Sequence, residues 1–175
     1  MKRWFKALAT MAVMLTFLGD DCSGVSVEDP SFRLWTSDTS LSAWDVTAGS
    51  IRKAPTWSEA DPGVEFVETP TAIAQKLTSS AACAKVVVMG KVDENADLEI
   101  LAGNLSSFKV PKLDWAEYVD YLSIPAVYDA DAGSAWYTPT SGAVLKIRKN
   151  GPGKVILSKI DVQSGSGCGP STYGE

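Results

Sequence analysis

The sequence contains no histidine. That absence excludes Ser-His-Asp and Cys-His catalysis within the chain, and any zinc site ligated through imidazole. Cysteine is scarce, with three in 175 residues: Cys22, Cys83 and Cys168. No two stand at CxxC spacing, so a compact thiolate metal site or a thioredoxin-like redox pair is excluded as well. Concentrated positive charge is also missing. Sixteen Lys and Arg stand against 21 Asp and Glu, a formal net charge of −5. Such a chain is poorly suited to a phosphate backbone, so no nucleic-acid partner is expected. The basic cluster Lys146, Arg148, Lys149 and Lys154 brackets a turn and reads as solvated strand ends. Finally, no apolar run is long enough to span a membrane as a helix. The run Ala7–Leu18 has twelve residues where about 20 are needed.

That run follows Met1-Lys2-Arg3-Trp4-Phe5-Lys6, and a basic head before a short apolar stretch describes a secretory signal peptide over residues 1–24. Cleavage after Gly24 leaves Gly24 and Cys22 at the positions where small residues are wanted. The alternative is lipoprotein processing before Cys22, which Asp21 disfavours and which would bring membrane attachment. Without residues 1–24 the net charge is −6, since three cations and two acids leave. Secretion places the protein where disulfides persist. With Cys22 gone or lipidated, Cys83 and Cys168 are the natural pair, closing a loop of about 85 residues. The alternative is two free thiols, one of them in the Gly/Ser-rich tail 164–175.

The remaining 45% hydrophobic, 21% charged composition is that of a folded domain. From residue 30 onward the pattern is short apolar or alternating runs between turn signals. Gly63–Val67, Ala72–Leu77, Ala84–Val92, Leu98–Leu101, Ala143–Arg148 and Lys154–Val162 read as strands. Ala72–Leu77 alternates with period two, and Ala84–Val92 is the best candidate for a central strand. The last two runs flank Asn150-Gly151-Pro152-Gly153 and predict a hairpin with positive φ at its turn. Leu113–Leu122 fits a helix or a strand, and strand is adopted because its surroundings are strand. About ten such segments predict one all-β, two-sheet β-sandwich or jelly roll over residues 25–163.

Two stretches carry a resemblance. The first is Asp29-Pro30-Ser31-Phe32, then Leu41 to Ser50 around Trp44, then Gly63-Val64-Glu65-Phe66 and Ile73-Ala74-Gln75. The second is Gly153 to Val162. Together they resemble galactose-binding-domain-like sandwiches, a fold shared by many carbohydrate-binding modules. The resemblance implies a buried Trp44 and a non-catalytic, glycan-binding role. Many such modules hold a structural calcium. Here Arg33 and Ser158-Lys159 occupy its ligand positions, so no metal and no cofactor is expected. Asp93-x-Asn95-x-Asp97 looks like the start of a calcium loop but lacks the following glycine, and reads as a polar β-turn.

Of six tryptophans, Trp4 lies in the leader and Trp44 in the expected core, so Trp35, Trp57, Trp115 and Trp136 remain to be placed. Trp57 lies in a loop-like stretch with Glu59 and Asp61, and Trp136-Tyr137 in another near Asp129 and Asp131. Exposed rings stack on the apolar face of a sugar while Asp, Glu, Asn or Arg bond its hydroxyl rim. Trp57, Asp61, Trp136 and Tyr137 are therefore the candidate ligand-binding residues, and Arg52 is a further rim donor. The alternative is that each ring covers an edge of the core. No pair of carboxylates is marked as facing across a cleft, so no catalytic residues are assigned and an enzyme is not expected. Three functions stay open: a glycan or cell-envelope polymer binder, a surface or assembly protein that binds protein and no sugar, and a small glycosidase. Asn104-Leu105-Ser106 is a formal glycosylation sequon.

Overall fold

Val and Ile supply four of the ten residues in each of the two long strands Cys83–Val92 and Val155–Ser164, because their stiff side chains suit a pleated surface and crowd a helix. The structure is a computed structural model. The residues described are 26–57, 61–77, 83–102, 106–123, 126–127, 138–139 and 143–164. In chain order the strands are β1 (Trp35–Ser37), β2 (Ser40–Leu41), β3 (Asp45–Ala48), β4 (Ile51–Ala54), β5 (Gly63–Phe66), β6 (Thr71–Lys76) and β7 (Cys83–Val92). They continue with β8 (Leu98–Ala102), β9 (Ser106–Val110), β10 (Leu113–Ser123), β11 (Ala126–Val127), β12 (Thr138–Pro139), β13 (Val144–Lys149) and β14 (Val155–Ser164). Among the described residues there is no helix.

Two antiparallel five-stranded sheets face each other, one ordered β10-β7-β14-β5-β4 and the other β3-β6-β13-β8-β9. The chain is an all-β, two-sheet sandwich. β14 is central in the first sheet and β13 in the second. Pairs β1-β2 and β11-β12 form two small ribbons. Val86, Val88 and Val92 of β7 and Val155, Leu157 and Ile160 of β14 pack with Ile73, Leu98, Ile100, Leu145 and Ile147 of the opposite sheet. Each fully buried aliphatic side chain contributes about 1.5–3 kcal/mol relative to exposure.

The segment Leu113–Leu122 is strand, as expected. However, Trp115 stands at positive φ in a bulge between Asp114 and Ala116, which breaks the alternation. The bulge supplies one extra residue to β10 and re-aims the strand. Two expectations are corrected. Residues 72–77 do not alternate between core and solvent: Thr71 to Gln75 are all buried. Ala72 and Ala74 face away from the core, but stand in register with Arg148 and Lys146, whose long side chains flank the small methyls. The other concerns β13 and β14. They are not a hairpin, since β13 pairs with β6 and β8, and β14 with β5 and β7.

The reason is a corner. Asn150-Gly151-Pro152-Gly153 carries the chain from one sheet to the other, and Asp93–Asp97 does the same between β7 and β8. The two crossings are bonded to each other. Gly151 N–H donates to Ala96 O at 2.8 Å, Asn150 N–H to Asp97 O at 3.1 Å, and Asp93 N–H to Lys154 O at 3.0 Å. Gly151 is required for proximity, not for positive φ: a Cβ there would overlap the carbonyl of Asn95. Asp93–Asp97 is the expected polar turn, closed by Ala96 N–H to Asp93 O at 3.1 Å.

Candidate functional site

The candidate site begins with a turn rooted in the core. Phe32 is fully buried and packs tilted against Trp44, with ring centroids 5.5 Å apart. Trp44 is 2% exposed, the core position expected for it. Its indole N–H donates to Asp29 O at 3.3 Å. The Asp29 carboxylate accepts Arg33 N–H at 2.7 Å and Leu34 N–H at 2.9 Å, which fixes the turn. Ile160 N–H of β14 donates to Pro30 O at 2.8 Å, tying the same turn to the central strand. With its backbone held at so many points, Arg33 projects in a defined direction. Its guanidinium meets Asp61 Oδ1 at 2.8 Å.

Asp61 closes the β4–β5 loop. Thr56 Oγ1 donates to Asp61 O at 2.7 Å, so the loop is pinned across its base. Trp57 follows Thr56 and is 68% exposed. Among the described residues it is the one tryptophan that lies largely in solvent. Trp35 and Trp115 are half-buried, and Trp35 packs against the core with its indole N–H buried and unpartnered. An aromatic ring left in water has forgone the burial that usually stabilises it. The ring offers an apolar face, and the Arg33–Asp61 pair offers donors and acceptors on the same loop base.

The structure pairs Arg33 with Asp61, and Thr56, the residue before Trp57, bonds the Asp61 carbonyl. It does not bring Arg52 to this loop, because Arg52 Nη2 and Nε both bond Glu65 Oε2, at 2.6 and 3.2 Å. Glu59, Asp129, Asp131, Trp136, Tyr137 and Cys168 lie outside the described residues, as do residues 1–25 and Asn104 and Leu105 of the sequon. Arg33 is the residue that sequence reasoning missed. It entered there only as a misfit in a calcium site, and no local signal ties it to Asp61. At the other positions of that site, Ser158 Oγ donates to Met89 O at 3.2 Å, and Lys159 pairs with Asp161 at 3.3 Å. Among the described residues, no three Cys, Asp or Glu come together to hold a metal. Cys83 opens β7 and is disulfide-bonded.

Two carboxylates in or just before β8 of the second sheet are tied to cations. The Arg148 guanidinium, bonded to Glu99 on the outer face of the second sheet, holds the Glu99 carboxyl below its usual range, with help from Ser107. Lys109, 2.6 Å from Asp97, holds Asp97 low in the same way.

No family model matches the chain, and no curated protein does. Among solved structures, the chain is similar to TmCBM61, a carbohydrate-binding module solved in complex with beta-1,4-galactotriose. The identity is 10%, the TM-score is 0.48, and the match covers 78% of this chain and 95% of that one. The assignment of a two-sheet sandwich stands on the strand pairing itself.

Proposed function

We propose that this chain is an exported, non-catalytic binding module that takes a glycan on the β4–β5 loop. The observation that carries the reading is Trp57, 68% exposed on a loop pinned at its base. Its ring is the stacking platform. Asp61 accepts from, and Arg33 donates to, the hydroxyls at the rim of the sugar. Trp136 and Tyr137 are a second aromatic pair for the same kind of contact. The basic head and apolar run of residues 1–24 support export.

Cys83 and Cys168 form the disulfide in this reading. Ser164 at the end of β14 is in register with Ala84, so the chain leaves the sheet beside Cys83 with Cys168 a few residues on.

The test is a glycan-array screen of the folded protein beside Trp57→Ala. The variant should lose binding with its melting temperature unchanged, since an exposed substitution of this kind moves stability by about 0.5 kcal/mol or less. Absence of binding to any glycan would sink this reading.

A specific observation favours a second one. β10 is an eleven-residue edge strand, and its Val119 and Tyr121 are 37% and 41% exposed. A long edge with an apolar face is what a protein-assembly surface presents. Lysine at Val119 would abolish partner capture from the native envelope and leave glycan binding intact if this second reading holds.

A further inference from the structure

Asn150-Gly151 is the sequence pair in which an asparagine side chain is most open to attack by the next backbone nitrogen, because glycine offers no side chain to obstruct it. The corner places that pair in an unusual position. The Asn150 residue is exposed, so water and base reach it, whereas Gly151 is buried. The attacking atom, Gly151 N, is occupied: its N–H donates to Ala96 O at 2.8 Å. Asn150 N–H donates to Asp97 O at 3.1 Å, and the Asn150 side chain helps to hold the Asp97 carboxyl below its usual range. Thr69 Oγ1 donates to Gly151 O at 2.9 Å from the other side. Gly151 is packed closely against the other crossing, since a Cβ there would overlap Asn95 O.

We infer that Asn150 is a latent deamidation site, held unreactive by the corner and released only when the corner opens. In the reaction Gly151 N loses its proton and bonds to Asn150 Cγ. The Cγ–Nδ2 bond breaks, and ammonia leaves. Water then opens the five-membered imide at either carbonyl, giving aspartate or isoaspartate. Either product sets a carboxylate against Asp97, which already carries one bonded to Lys109 at 2.6 Å. Isoaspartate also lengthens the backbone by one atom inside a close-packed crossing. The step therefore works in one direction: an opened corner that reacts does not close as before.

The experiment incubates the full protein in mildly alkaline buffer, folded in one arm and unfolded in urea in the other, and follows the amide-to-acid mass change at residue 150. Conversion should be at least about tenfold slower in the folded arm, because reaction waits for local opening. Thr69→Val, which removes one tie on Gly151, should speed conversion in the folded arm and leave the urea arm unchanged. Asn150→Asp, the product without the reaction, should lower the melting temperature. Equal rates in the two arms, no conversion in urea, or a Thr69→Val rate equal to wild type in the folded arm would each overturn the inference. An unchanged melting temperature for Asn150→Asp would overturn its consequence for the corner.

Discussion

Lys149 shows how much a single residue can depend on its place. The sequence reads it as a solvated strand end, yet it is 3% exposed. Its ammonium donates to Phe66 O and Glu68 O, each at 3.3 Å, which ties β13 to the segment after β5. Burial pushes the Lys149 ammonium below its usual range, against the pull of Glu65 and Asp93. Between that lowered value and the ordinary lysine value of 10.5, the unfolded chain keeps the proton and the folded chain has released it. Stability contributed by Lys149 therefore rises with pH through that window. Tyr118 opposes it, because its bond to Asp120 raises its hydroxyl value, and stability from that source falls as pH rises. Urea midpoints of wild type and Lys149→Met, compared across alkaline pH, separate the two. The difference should grow in favour of wild type, and a flat or falling difference would contradict the account. Trp57 was legible in the sequence because proline, threonine and aspartate around it mark a loop. Arg33 was not, because the turn at residues 29–33 and the loop at 56–61 meet only through the fold.

At the scale of elements, the strands were legible and their partners were not. The valine run of β7, the buried-intermediate alternation of β8 around Leu98 and Ile100, and Ile160 and Val162 of β14 specify these strands well. Asn-Gly between two such runs says only that the chain reverses. It does not say whether the next strand joins the same sheet or the one opposite. The second crossing, Asp93–Asp97, supplies that information, and it lies far away in sequence. Gly90 marks a similar case within β7. It faces the β14 bulge at Leu157, and an added Cβ would overlap Ile156 O and stand 2.9 Å from Leu157 Cα. Gly90→Ala should cost about 1–3 kcal/mol through overpacking. It should appear as a lower urea midpoint with the slope unchanged. A midpoint equal to wild type would show that β14 can shift to make room.

For the molecule as a whole, the question is what fastens the end of the chain. A Cys83–Cys168 bond closing a loop of about 85 residues is worth ~4–5 kcal/mol by chain entropy. Cys168→Ser should therefore lower the melting temperature as much as reduction does, while Cys22→Ser leaves it unchanged. If Cys22→Ser has the larger effect, the bond runs to Cys22 instead. The sheet order carries a further consequence. The last two long strands, β13 and β14, are the centres of both sheets. Until residues 144–164 have left the ribosome, β4-β5 and β7-β10 are separate pairs, and so are β3-β6 and β8-β9. Nothing bridges them, and isolated two-stranded pairs are marginal in water. The nascent polypeptide thus stays loose until β13 and β14 have emerged to join the pairs. In the export we propose, a translocase that threads unfolded chains would receive this one in the state it requires.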